Sequence, residues 1–136
     1  MTGDTTTDGT AMTLRIELFV EDLGASLAFY TNVLGFRAEH RGRDYASVRN
    51  GAVLFGLGLA HGLPANHHFS QLALQQQKGV GTEIVLEVTD VDAYHRRVLE
   101  SGHRLAAPPR DRPWGARDFR IVDPDGYYLR VTSRTG

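Results

Sequence analysis

The chain is predicted to be an α+β protein of two tandem βαβββ modules. They form a curved, open barrel-like sheet with helices outside and a cleft inside. Three observations carry this. Residues 83–88, Glu-Ile-Val-Leu-Glu-Val, alternate at period two and run into Asp90, a residue suited to cap the helix that follows. The same device occurs earlier, where residues 15–20 alternate and Asp22 opens a helix; Arg15 to Glu83, Val20 to Val88 and Asp22 to Asp90 are each 68 apart. Three strand-like segments follow each helix. One such unit leaves a sheet face bare, and two side by side cover it.

The first strand is expected at 14–20, with Ile16, Leu18 and Val20 on the face towards the helices. A helix over about 24–33 places Leu23, Leu27, Tyr30 and Leu34 inward at helical spacing. Gly35 is suited to end it as a left-handed residue, and Gly102 stands 67 positions later as the stop of the second helix. Strands are expected near 36–40, 45–49 and 53–59, with Asn50-Gly51 as the hairpin turn between the last two. Gly56 and Gly58 share one face of a strand, which marks a bend or a close approach. Residues 61–81 show no clean period and connect the halves as a candidate lid or dimer contact, with a helical turn at 72–78. The second module places a helix from Val91 with Tyr94 and Val98 inward. Strands near 104–106, 119–122 and 127–133 follow, and Asp123-Pro124-Asp125-Gly126 forms a tight turn between the last two.

Composition narrows the function. A net charge of -1, with acids and bases intermixed, leaves no electrostatic footprint for nucleic acid or membrane surface. No apolar run approaches the roughly 20 residues of a membrane span. With no cysteine, disulfide and thiolate chemistry are excluded. Residues 1–12 have no signal-peptide pattern and are expected to be a disordered leader before one domain at 13–136. Its modules span about 13–60 and 82–134, with the connector at 61–81 between them. A cytoplasmic location is the default expectation.

The ordered set Val20-Glu21-Asp22-Leu23, Ser26-Leu27-Ala28-Phe29-Tyr30, Val33-Leu34-Gly35-Phe36, Val88-Thr89-Asp90-Val91-Asp92-Ala93 and Trp114-Gly115 to Asp123-Pro124-Asp125-Gly126 resembles the vicinal oxygen chelate superfamily. That superfamily holds glyoxalases, extradiol dioxygenases and bleomycin-resistance proteins. The resemblance covers about residues 14–133 and implies paired βαβββ modules and a homodimer. It also implies a divalent-metal site on the first and last strands of each module, which falls here on Arg15, Phe55, Glu83 and Arg130. Only Glu83 offers a metal a lone pair, because a guanidinium has none and a phenyl ring offers nothing. A metal-free, bleomycin-resistance-like member is therefore expected, with no cofactor.

The strand faces turned from the helices carry Arg15, Glu17, Glu83, Glu87, Tyr128 and Arg130. Arg15 and Arg130 are expected either to fork onto Glu83 as a structural cluster or to leave an edge free for an anionic or carbonyl ligand group. Trp114, on a stiff Pro-rich loop, is either a plug for the cleft or a stacking wall, with Phe55 as the opposite wall. His61, His67, His68 and His95 are expected to be solvated, as are Arg41 with Arg43 and Arg110 with Arg112. Ser26 has no base at readable spacing and so supports no nucleophilic role. The resulting expectation is a metal-independent binder of an aromatic or heterocyclic compound, as in antibiotic sequestration. The alternatives are a lyase, isomerase or dioxygenase with a displaced or absent metal, using Glu83 or Glu87 as general base, and a structural module whose cleft its own side chains fill.

Overall fold

The computed structural model describes residues 9–72 and 77–134. Most of the expected leader, and most of the helical turn expected at 72–78, lie outside the described residues. The first module runs β1 (Ile16–Val20), α1 (Leu23–Ala28), a wider π turn (Phe29–Val33), β2 (Arg37–Arg41), β3 (Tyr45–Asn50) and β4 (Val53–Leu59). The second runs β5 (Glu83–Val88), α2 (Val91–Glu100), β6 (Arg110–Asp111), β7 (Arg117–Val122) and β8 (Tyr128–Ser133). Each module forms one four-stranded mixed sheet, ordered β1-β4-β3-β2 and β5-β8-β7-β6. The first strand of each lies parallel to the last, and the other pairings are antiparallel.

Both helices start as their capping residues dictate. Asp22 Oδ1 accepts from the amide of Ala25 at 3.0 Å, and Asp90 Oδ1 accepts from that of Ala93 at 2.9 Å. The first helix departs from the expected α-helix over its second half. The amide of Leu34 reaches back five residues to Phe29 O at 3.1 Å. In that wider turn the adjacent Phe29 and Tyr30 are both buried. Gly35 and Gly102 then end the helical segments with φ of 74° and 90°.

One expected strand is absent. Residues 104–106 make no ladder, and pairing begins only at Arg110, beyond Pro108 and Pro109, whose ring nitrogens have no hydrogen to donate.

A single apolar cluster joins the modules. Leu18, Val20, Phe55 and Leu57 from one sheet and Ile84, Leu86, Leu129 and Val131 from the other pack together with Tyr30, Leu34, Val91 and Val98. Polar contacts fix the register between the halves. Tyr127 donates its hydroxyl to Phe19 O at 2.8 Å and accepts from Phe19 N at 3.1 Å. Asp125 Oδ1 accepts from Glu21 N at 2.9 Å. The Asp123-to-Gly126 turn therefore caps the outer edge of β1, which would otherwise present bare donors and acceptors. Tyr94 closes the opposite side by donating to the carbonyl of Leu34.

Candidate functional site

The face of the second sheet turned from α2 carries a dense ion cluster. Asp118 on β7 has a fully buried carboxylate, and its Oδ1 accepts from Arg112 Nε at 2.8 Å and from Arg120 Nη1 at 2.7 Å. Arg130 on β8 donates from Nε to Glu83 Oε1 at 3.1 Å, and Arg120 Nε lies 3.6 Å from Glu83 Oε2. The ladder explains the meeting: Arg120 stands opposite Arg130, Asp118 opposite Thr132, and Glu83 opposite Tyr128. Asp118 is the residue the sequence reading missed. Its signal lay in Arg117-Asp118-Phe119-Arg120, where a strand reading puts Asp118 and Arg120 on one face.

The corresponding face of the first sheet holds a separate group. Tyr45 donates its hydroxyl to the Glu17 carboxylate at 3.0 Å, and Arg15 Nε lies 3.2 Å from Glu17 Oε2. Burial, with the Glu17 carboxylate next, holds the Tyr45 hydroxyl above its ordinary pKa. A Cβ at Gly56 would collide with both the Glu17 carboxylate and the Tyr45 hydroxyl. The close approach expected at Gly56 is thus made by these two side chains. Arg15 pairs with Glu17 and not, as expected, with Glu83: the two sit on different sheets, each served by a nearer partner on its own.

A third polar group seals the junction. Lys78 is 2% exposed and lies 3.3 Å from Glu21 and 3.7 Å from Asp125. His61 Nε2 reaches Glu21 at 2.6 Å, so this histidine is not a free surface group. Burial pushes the Glu21 pKa up, but hydrogen bonds from Lys78 and His61 outweigh it and hold the pKa below the ordinary range. Burial raises Asp123 and Asp125, which are only partly compensated by the amides and hydroxyl they accept from. Burial also raises Tyr30, whose hydroxyl donates to Asp123 Oδ2 at 2.8 Å, and takes Tyr127 to about 12.

Among the described residues, several hollows lie over these elements, three of them of about 300 Å³ or more. One of about 510 Å³ runs along β1, bounded by Ile16, Leu18, Phe19, Phe69, Leu72 and Tyr127, with Glu17 at its side. A larger one of about 630 Å³ lies along β5 beside the Asn50-Gly51 turn and includes Glu87, Asp90, Arg97 and Arg134. The third, of about 300 Å³, includes Tyr128, Arg110, Arg112 and Arg120. The expected ligand residues are therefore distributed over several places. Glu17, Glu87 and Tyr128 border different hollows, while Glu83 and Arg130 belong to the ion cluster.

Phe55 and Trp114 do not face each other across a cleft. Phe55 is 1% exposed and stacks on Phe36 with ring centroids 5.5 Å apart, because its register partner is the core-facing Ile16. Trp114 is 59% exposed on its loop, so it is not a core plug either. His67 packs against Phe19 at 5.5 Å, and His95 sets its edge on Phe119 at 5.1 Å, so neither is simply solvated.

The four positions that would carry a metal do not fit one. Arg15 and Arg130 have no donor lone pair, Phe55 is in the core, and Glu83 already accepts from Arg130 and is ion-paired with Arg120. Among the described residues, no three His, Asp or Glu side chains converge on a common point.

Comparison with known proteins agrees with this architecture. Residues 13–131 match the model of the Glyoxalase/Bleomycin resistance protein/Dioxygenase superfamily, and the chain belongs to that superfamily. An uncharacterized protein of Mycobacterium tuberculosis is 30% identical over 135 residues, covering 93% of this chain and 76% of its own length. Among solved structures, TioX from Micromonospora sp. ML1 superposes with a TM-score of 0.74 at 21% identity, covering 92% of this chain and all of the other, and so shares the fold. A glyoxalase/bleomycin resistance protein/dioxygenase from Nocardioides gives 0.70 at 25% identity, covering 95% of this chain and 86% of its own. Among the described residues no helix is long and apolar enough to cross a membrane.

Proposed function

We propose that this chain is a metal-independent small-molecule-binding member of the superfamily, akin to the bleomycin-resistance proteins, that holds an aromatic or heterocyclic compound without transforming it. The hollow along β1 carries the reading. It is apolar, of a size suited to a compact ligand, and bordered by Phe19 and Phe69, whose ring centroids are 5.2 Å apart. Flat rings packed beside such a pair gain offset or edge-on contact beyond the area they bury. The metal positions occupied by arginine and phenylalanine support binding over metal-assisted chemistry. Titrating the purified protein with a panel of aromatic heterocycles by calorimetry tests this. At least one should bind saturably, and Phe69→Ala should weaken it about tenfold, the equivalent of about 1.4 kcal/mol, while Trp114→Ala leaves it unchanged. Absence of any saturable ligand, or one stoichiometric divalent ion tightly held by protein purified without chelators, would overturn the reading.

One observation favours a second reading, an enzyme with no metal at these positions. Glu87 borders the 630 Å³ hollow and has no ion-pair partner among the described residues, which suits a general base. Turnover abolished by Glu87→Gln would support it.

A further inference from the structure

We propose that the 300 Å³ hollow beside β6 and β7 binds a small organic anion, a carboxylate or phosphate carried on a compact apolar body. The site lies on the second sheet, apart from the hollow along β1, and does not depend on the reading given for that hollow.

Charge is the first support. Arg110, Arg112, Arg120 and Arg130 share this region with only two carboxylates, Asp118 and Glu83, leaving two cations in excess. Arg110 stands directly across the ladder from Asp118, yet has no carboxylate partner among the described residues. Asp111, its neighbour, is taken by Arg117 at 3.2 Å, and Arg117 in turn by Asp92 at 2.9 Å. The surplus therefore stays at the hollow.

Preorganisation is the second. Arg112 is held through Nε alone, and Arg120 through Nη1 and Nε, all on the side of Asp118 and Glu83. Both terminal nitrogens of Arg112 and the second terminal nitrogen of Arg120 accordingly have no hydrogen-bond acceptor among the described residues. A buried carboxylate that pins one nitrogen of each of two guanidiniums spares a ligand much of the entropy of ordering them. Planar forks so arranged suit two-oxygen anions.

The lining is the third support. Ala106, Ala107 and Pro108 come from the α2–β6 segment that makes no strand, and Tyr128, 39% exposed, adds an aromatic face. Guanidiniums with an apolar wall favour an anion with a small hydrocarbon or aromatic body over a bare ion.

The test uses the intact chain with benzoate, phenyl phosphate and the neutral benzyl alcohol, titrated by calorimetry at fixed ionic strength so that screening is constant. Saturable binding of benzoate or phenyl phosphate, with benzyl alcohol at least about tenfold weaker, is expected, and which anion binds tighter separates carboxylate from phosphate recognition. Arg110→Glu breaks no ion pair described above. It should weaken the anion about tenfold, while Arg43→Glu, the same charge change on an exposed turn of the other module, should alter it less than about twofold. Equal binding of benzyl alcohol, equal effects of the two substitutions, or no saturable binding would each overturn the proposal.

Discussion

Asp118 is the most constrained charge in the protein. Its carboxylate is fully buried between three guanidiniums, whereas the Glu83 side chain, in the same cluster, is 34% exposed. Removing a buried partner strands the charges around it, while a partly solvated one is replaced by water. Asp118→Asn is therefore expected to cost about 3–5 kcal/mol in urea unfolding, and Glu83→Ala only about 1 kcal/mol. Equal losses would show that the two carboxylates share the load. Asp123 gives a pH signature. Its Oδ1 accepts from the amides of Asp125 and Tyr127, but burial still lifts its pKa above the ordinary 3.8. A raised folded-state value means the folded state binds its proton more tightly, so this group favours folding at low pH. That contribution is lost as pH rises from the unfolded value through the folded one. The stability difference between the wild type and Asp123→Asn should therefore shrink as pH climbs from 3.8 towards neutrality. A difference independent of pH would mean that Asp123 titrates alike in both states. Glu21, Glu39 and Asp92, all held low by basic partners, slope the other way, so the comparison must be made between the two proteins and not on one curve.

The glycine of β4 shows how a strand is shaped by its neighbours. Glu17 and Gly56 are register partners, and Tyr45 is one strand further over, so the bare Cα of Gly56 is the space in which the Glu17–Tyr45 hydrogen bond lies. Gly56→Ala should push both side chains aside and cost about 1–3 kcal/mol, the usual range for overpacking. Because the atoms in the way are ends of side chains and not backbone, the loss should fall by at least half in a Glu17→Ala background, measured as a double-mutant cycle. Full additivity would place the strain elsewhere. The connector between modules earns its order differently: Lys78 sits between Glu21 of one half and Asp125 of the other, and no periodicity in residues 61–81 announced that.

At the scale of the molecule, the polar faces of the two sheets keep their charges to themselves. Arg15, Glu17 and Tyr45 form one group, and Glu83, Asp118, Arg112, Arg120 and Arg130 another, with no ion pair between the groups among the described residues. The second face also leaves Val85, Val122 and Tyr128 exposed. We propose that two copies pair through Val85 as a homodimer, away from the hollow that Tyr128 lines. Light scattering should then give twice the chain mass, and Val85→Glu should reduce it to one. A monomer at all concentrations would refute this.

The alternation of residues 15–20 and 83–88, the two capping aspartates and the turn glycines determined the α+β class, the two modules and nearly every strand, because those signals are local and periodic. The same periodicity placed Glu83 with Arg130. What it did not determine was set by contacts distant in sequence. Phe55 went to the core because its ladder partner is Ile16, and Arg15 took Glu17 because Glu83 belongs to another sheet. Asp118 acquired its role only when β6, β7 and β8 brought three arginines around it. Strand spacing says which face a side chain takes. Which charges then meet depends on sheet register and on how the two modules pack, and only the tertiary structure decided that.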